Sequence, residues 1–163
     1  MLIIFNFENF EMIKQYVDFE VSIKTFIKLH ELTKDIFSNG MVYTASERKI
    51  AVILPDSNIE ETYDLAKKFI HYTKDPIYIN NLPISTIVKG GIVNYPYHET
   101  DINNIMIMLD KVLEQSDKSH NDVIIYDKNA ELEKIRYYQD LVSLYHALKN
   151  NMFTMHYQPI IKR

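Results

Sequence analysis

The sequence has no cysteine, which excludes a disulfide framework and any thiolate metal site and fits a reducing compartment. Its three glycines are few for a phosphate cradle, where the backbone must approach the ligand closely at several points. No apolar run exceeds the length of a strand, so nothing in the sequence reads as a membrane span. Met1-Leu2-Ile3-Ile4 lacks the basic flank and cleavage region of a signal peptide and reads as a strand. Clustered basic charge is missing as well. Lys and Arg are scattered and the formal charge is −4, which argues against a nucleic-acid surface, and no direct membrane contact is expected. His30, His71, His98, His120, His146 and His156 show no short ligand spacing of the zinc type. Glu8 and Glu11 fall where carboxylates favour a helix N-terminus, which explains them without a metal.

What remains is a globular composition, 47% hydrophobic and 25% charged in 163 residues, enough for one core and an appendage. Val42-Tyr43-Thr44 and Ile50-Ala51-Val52-Ile53-Leu54 are β-branched and aromatic, and the polar run Ala45 to Lys49 between them predicts a hairpin with Arg48 and Lys49 at its tip. Apolar residues from Val21 to Phe37 recur every three or four positions, which predicts an amphipathic helix ended by Asn39-Gly40 as a C-cap. Asp56-Ser57-Asn58 offers caps for a second such helix, stopped by Asp75-Pro76. Ile77 to Ile79 and Ile84 to Val93 read as strands, and Gly90-Gly91 within the latter as a bulge or a point of close packing. Asp101 caps a third helix with Ile102, Ile105, Met106, Leu109, Val112 and Leu113 directed inward, before a short strand from Val123 to Tyr126. Asp127 to Asn150 reads as one long helix whose stripe of Leu132, Ile135, Leu141, Val142, Tyr145 and Leu148 cannot be buried by the helix alone. The order of elements predicts an α+β fold, a mostly antiparallel central sheet flanked by helices, with a palm-like layout and a C-terminal linker helix.

The hairpin with Pro55 closing its second strand resembles that of GGDEF domains, the diguanylate cyclases that join two GTP molecules into cyclic di-GMP. Ser46, Glu47, Arg48, Lys49 and Ile50 stand where that family has Gly-Gly-Asp/Glu-Glu-Phe. The stretch from Leu2 to Phe10 resembles the family's first strand, with Asn6 at its metal-binding aspartate. Lys14 stands at the guanine-reading asparagine and Ile23 at an aspartate that also contacts the base. Lys89-Gly90-Gly91-Ile92-Val93-Asn94-Tyr95-Pro96 resembles another family strand. The family's phosphate-contacting lysine and arginine fall on Asp117 and His120. Its inhibitory Arg-x-x-Asp site would fall on Phe37 to Gly40 and is absent. Finally, Leu144 to Leu148 and Phe153 to Ile161 resemble the opening of an EAL domain, the cyclic di-GMP phosphodiesterase, including its Tyr157-Gln158-Pro159-Ile160.

The resemblance implies a degenerate GGDEF domain over 1–127, a linker helix over 128–150 and the start of a truncated EAL domain over 151–163. An ammonium only donates hydrogen bonds and an isoleucine makes none, so Lys14 and Ile23 cannot read a guanine edge. Cations replace the magnesium-binding carboxylates, which implies a lost magnesium site and no cofactor. The implied role is that of a catalytically inactive regulatory or dimerisation module in the cytoplasm, within a parent protein tethered to a membrane or free of it. Its implied partners are the EAL domain of the same polypeptide and a second copy of the chain. A nucleotide sensor that binds GTP weakly without cyclase activity is the alternative.

Overall fold

Leu2–Phe7 forms strand β1, and five of its six residues are buried. It is flanked on both sides in the sheet and covered on both faces, which is why its sequence is a continuous apolar run rather than an alternating one. The computed structural model describes residues 1–118 and 121–154, apart from the side chains of 117, 118, 131 and 134. Two compact units divide the chain, Met1–Tyr126 and Asp127–Arg163.

In the first unit, β2 (Met41–Ser46), β3 (Lys49–Ile53), β6 (Val88–Val93) and β7 (Val123–Ile125) join β1 in a five-stranded sheet of order β2-β3-β1-β6-β7. Every pairing is antiparallel except β6 with β7, which run parallel because α4 (Ile102–Lys118) crosses between them. On one face, Phe5 packs its ring 5.8 Å from Phe37 and 4.5 Å from Phe69. Those partners belong to the layer formed by α1 (Phe10–Tyr16), α2 (Phe19–Ile36) and α3 (Ile59–Thr73). On the other face, Ile4 packs with Ile105, Leu109, Val112 and Leu113 of α4. Ile102 and Met106, expected inward, are exposed at 62% and 47%. Ile102 opens α4, ahead of the turns that meet the sheet, and Met106 lies at the border of the buried row.

Gly90 and Gly91 lie in regular register with Phe5 and Ile4 rather than at a bulge. Close packing is the reason for both: a Cβ on Gly90 would sit 3.0 Å from the Phe5 ring, and one on Gly91 3.0 Å from Val112. Two other expectations change. The helix over α2 ends at Ile36 with Phe37 as its cap, and no glycine of the described residues takes a left-handed conformation, so Asn39-Gly40 is not the C-cap. The expected strand from Ile84 to Val93 is split. Leu82–Ile84 (β5) pairs back on Ile77–Ile79 (β4) as a separate two-stranded sheet, through a turn in which Asn80 and Asn81 have φ of 51° and 66°. Consecutive left-handed asparagines are what a tight hairpin of this kind requires.

The connector between β5 and β6 is pinned by Asn9, which is 9% exposed. Its side-chain nitrogen donates to the Ser85 carbonyl at 2.9 Å, and its oxygen accepts from Ile87 N–H at 2.8 Å. With its amide used there, Asn9 begins α1 without any side-chain capping bond.

The second unit is helix α5, Lys128–Lys149, begun by Asp127, whose carboxylate accepts from Asn129 N–H at 2.8 Å. Leu132, Ile135, Leu141, Val142, Tyr145 and Leu148 are all exposed. The segment expected to open an EAL domain lies outside the described residues from 155 onward. No helix of the described residues is long and apolar enough to cross a membrane.

Candidate functional site

The turn of the β2–β3 hairpin is shorter than the sequence suggests. Only Glu47 and Arg48 form it, while Ser46 closes β2 and Lys49 opens β3, with an irregularity in the pairing between Thr44 and Ser46. Phe7 N–H donates to the Arg48 carbonyl at 2.8 Å and anchors the turn to the end of β1.

Strand register then decides which side chains meet. Asn6 is opposite Lys49 on β3 and opposite Lys89 on β6. Residues directly opposite in neighbouring strands point to the same face, so Lys49, Asn6 and Lys89 form a row on the α4 side of the sheet. Each of the two ammonium groups is paired with a carboxylate. Lys49 Nζ lies 2.7 Å from Asp110 Oδ1 on α4, and Lys89 Nζ lies 2.9 Å from Asp122 Oδ1 at the entry to β7. Asn6 is only 6% exposed; its nitrogen donates to the Glu8 carboxylate, and its buried Oδ1 has no hydrogen-bond partner among the described residues.

Asn6, Arg48 and Lys49 face Ile107, Asp110, Lys111, Leu113 and Glu114 of α4 across an open groove of about 460 Å³. Both signs of charge line it. Among the described residues, no three His, Asp or Glu side chains gather as metal ligands would.

On the other side of the turn, Lys14 is held from four directions. Its Nζ lies 3.6 Å from Glu11 and 3.9 Å from Glu47, and 5.8 Å and 5.7 Å from the ring centres of Phe10 and Phe19. Glu47 thus ties the hairpin tip to α1, a contact the sequence did not suggest. Ile23 is half-buried on α2 and packs against the main core. Ser46 is exposed, and its hydroxyl accepts from Arg48 N–H at 3.4 Å. His120 and the side chain of Asp117 lie outside the described residues.

Of the positions singled out in the sequence, the fold therefore brings Asn6, Arg48 and Lys49 to one groove and Lys14 and Glu47 to the adjacent corner. Sequence reasoning missed Asp110, Lys89 and Asp122. A lone carboxylate on a helix surface carries no local signal of the strand it will meet. Asp122 also accepts a contact from Lys74 at 3.0 Å through its second oxygen. Burial pushes the Asp122 carboxyl up, but hydrogen bonds from Lys89 and Lys74 and their charges outweigh it and hold the group below its ordinary value.

No protein-family model and no curated protein matches the sequence. Solved structures do match. The GGDEF domain of PA1120 (YfiN or TpbB) from Pseudomonas aeruginosa superposes with a TM-score of 0.73 at 14% identity, over 77% of this chain and 81% of that one. The active GGEEF domain of a diguanylate cyclase from Vibrio cholerae gives 0.65 at 16% identity, over 78% and 82%. The GGDEF domain of DgcB from Caulobacter crescentus, solved in complex with c-di-GMP, gives 0.62 at 10% identity, over 76% and 75%. At such identities the likeness shows the fold. The chain has a GGDEF-like α+β fold, with the sheet and flanking helices of the cyclase palm.

Proposed function

We propose that this chain is a GGDEF-fold domain without cyclase activity, which serves as a regulatory or dimerisation module for a cyclic di-GMP phosphodiesterase domain further along the same polypeptide. The row of Asn6 between Lys49 and Lys89, with Arg48 at the mouth of the groove, carries this reading. Magnesium takes oxygen ligands, chiefly carboxylates, in a strict octahedron. Asn6 offers one amide oxygen, the Asp110 carboxylate of the same groove is paired with Lys49, and Arg48 adds a further cation, a set that does not fit it, so no metal-assisted step follows from these residues. The base-reading corner points the same way. Lys14 offers only donors and pairs its charge with Glu11 and Glu47, and Ile23 packs against the core.

The module reading is supported at the other end by the Tyr-Gln-Pro-Ile sequence after α5. Its test is the phosphodiesterase rate of the longer polypeptide with and without residues 1–150. A change in rate on deletion is expected, and equal rates at every nucleotide concentration would leave the domain no regulatory role.

A second reading, a metal-independent GTP sensor, is favoured by Arg48 and Lys111 on the same groove. Calorimetric titration of GTP with and without magnesium separates the two. Heat of binding without the metal supports the sensor, and none at millimolar nucleotide removes it.

A further inference from the structure

A second pocket, sharing no residue with the groove at the hairpin, lies between α3 and the entry to β7 and has a volume of about 310 Å³. Tyr63, Lys67, His71 and Lys74 line one wall at steps of four, four and three residues, the spacing of one helix face. Asn121 and Asp122 line the other. In a chain of formal charge −4, this wall is cationic.

The carboxylate in this lining is already neutralised twice. Asp122 gives one oxygen to Lys89 at 2.9 Å and the other to Lys74 at 3.0 Å, and the Lys89 side chain is mostly buried behind it. Lys67 meets no carboxylate among the described residues; its Nζ stands 5.3 Å from the centre of the Tyr63 ring. The remaining acids of this stretch, Glu60, Glu61, Asp64 and Asp75, do not line the pocket.

A helix C-terminus normally repels anions, because its last carbonyls carry negative partial charge. In α3 three of the last four carbonyls accept hydrogen bonds. The Ile70 carbonyl accepts from the Thr73 hydroxyl at 2.9 Å, that of His71 from Lys74 N–H at 3.2 Å, and that of Thr73 from the Thr86 hydroxyl at 2.7 Å. The side-chain cations therefore set the local potential. Ammonium groups and an imidazole converging on a small concave space are the donor set that takes a compact oxyanion.

We propose that this pocket binds the phosphate group of a small phosphorylated molecule, with Lys67, His71 and Lys74 as its donors. No part of this rests on the state of the hairpin site.

The test is an amide-resolved NMR titration of the full chain with inorganic phosphate, set against sodium chloride at equal ionic strength. Saturable shifts are expected at residues 67–74 and 121–123, with half-saturation on the order of millimolar, as suits a few charge-assisted contacts. The surface variants Lys67→Glu and His71→Glu should each weaken binding by about tenfold without moving the melting temperature. Shifts that stay linear, that match those in chloride, that centre on Arg48 and Lys111, or that persist at equal affinity in the double variant would each overturn the assignment.

Discussion

Lys49 and Asp110, separated by 61 residues in sequence, meet at 2.7 Å and fasten the hairpin to α4. The strand register gives this contact its weight, since Lys49 stands opposite Asn6. A cation that belongs to the chain therefore occupies the mouth of the groove, with its charge answered by the chain's own carboxylate.

The pair is open to solvent, with 27% of the Lys49 side chain and 62% of that of Asp110 exposed. Its energetic contribution is accordingly small. A double-mutant cycle with Lys49→Met and Asp110→Asn should give a coupling of about 0.2–1 kcal/mol by urea denaturation, declining in 1 M salt. A coupling several times larger would mean that the contact is shielded from water.

Asn9 is a different case, buried and doubly bonded to the β5–β6 connector. Asn9→Ala leaves the Ser85 carbonyl and Ile87 N–H without their partner, and a loss of about 2–3 kcal/mol in unfolding free energy is expected. Hydrogen exchange at Ile87 should accelerate with it.

Gly90→Ala inserts a methyl group 3.0 Å from the Phe5 ring, in a core where Phe5 already meets Phe37 and Phe69. Destabilisation of about 1–3 kcal/mol follows from overpacking, readable as a lower denaturation midpoint. Gly90→Ala combined with Phe5→Leu should recover part of it.

The Asp122 carboxyl is held below its ordinary value in the folded state. A depressed folded value means that the unfolded chain takes up its proton first as pH falls, so the contribution of Asp122 to stability is present above the unfolded value, about 3.9, and is lost below it. The stability difference between the native chain and Asp122→Asn should therefore be level from pH 7 to about 5 and shrink on further acidification. A difference that grew toward low pH would contradict the ion triad of Asp122 with Lys74 and Lys89.

Periodicity made the helices and the strands of the sheet legible in the sequence, because burial leaves a pattern of three to four in one and a continuous apolar run in the other. Turns were less legible. Asn80-Asn81 reads equally as a loop or as a left-handed hairpin turn, and only the pairing of β4 with β5 distinguishes them. At the site, Asn6 and Lys49 were found because they lie in recognisable strands, and Arg48 because it sits in the turn between two of them. Their partners Glu8, Asp110 and Lys89 were not, since cross-strand register and helix docking are set by the whole core rather than by local sequence. Glu47 showed the same limit: as a turn residue it carries no sign that Lys14 will reach it.

The charge inversion around Asn6 is tested most directly by incubating the full chain with GTP and magnesium and separating the nucleotides by chromatography. Recovery of unchanged GTP is the expected result, at any magnesium concentration. Accumulation of cyclic di-GMP, abolished by Asn6→Ala, would contradict it and return the groove to the active cyclases.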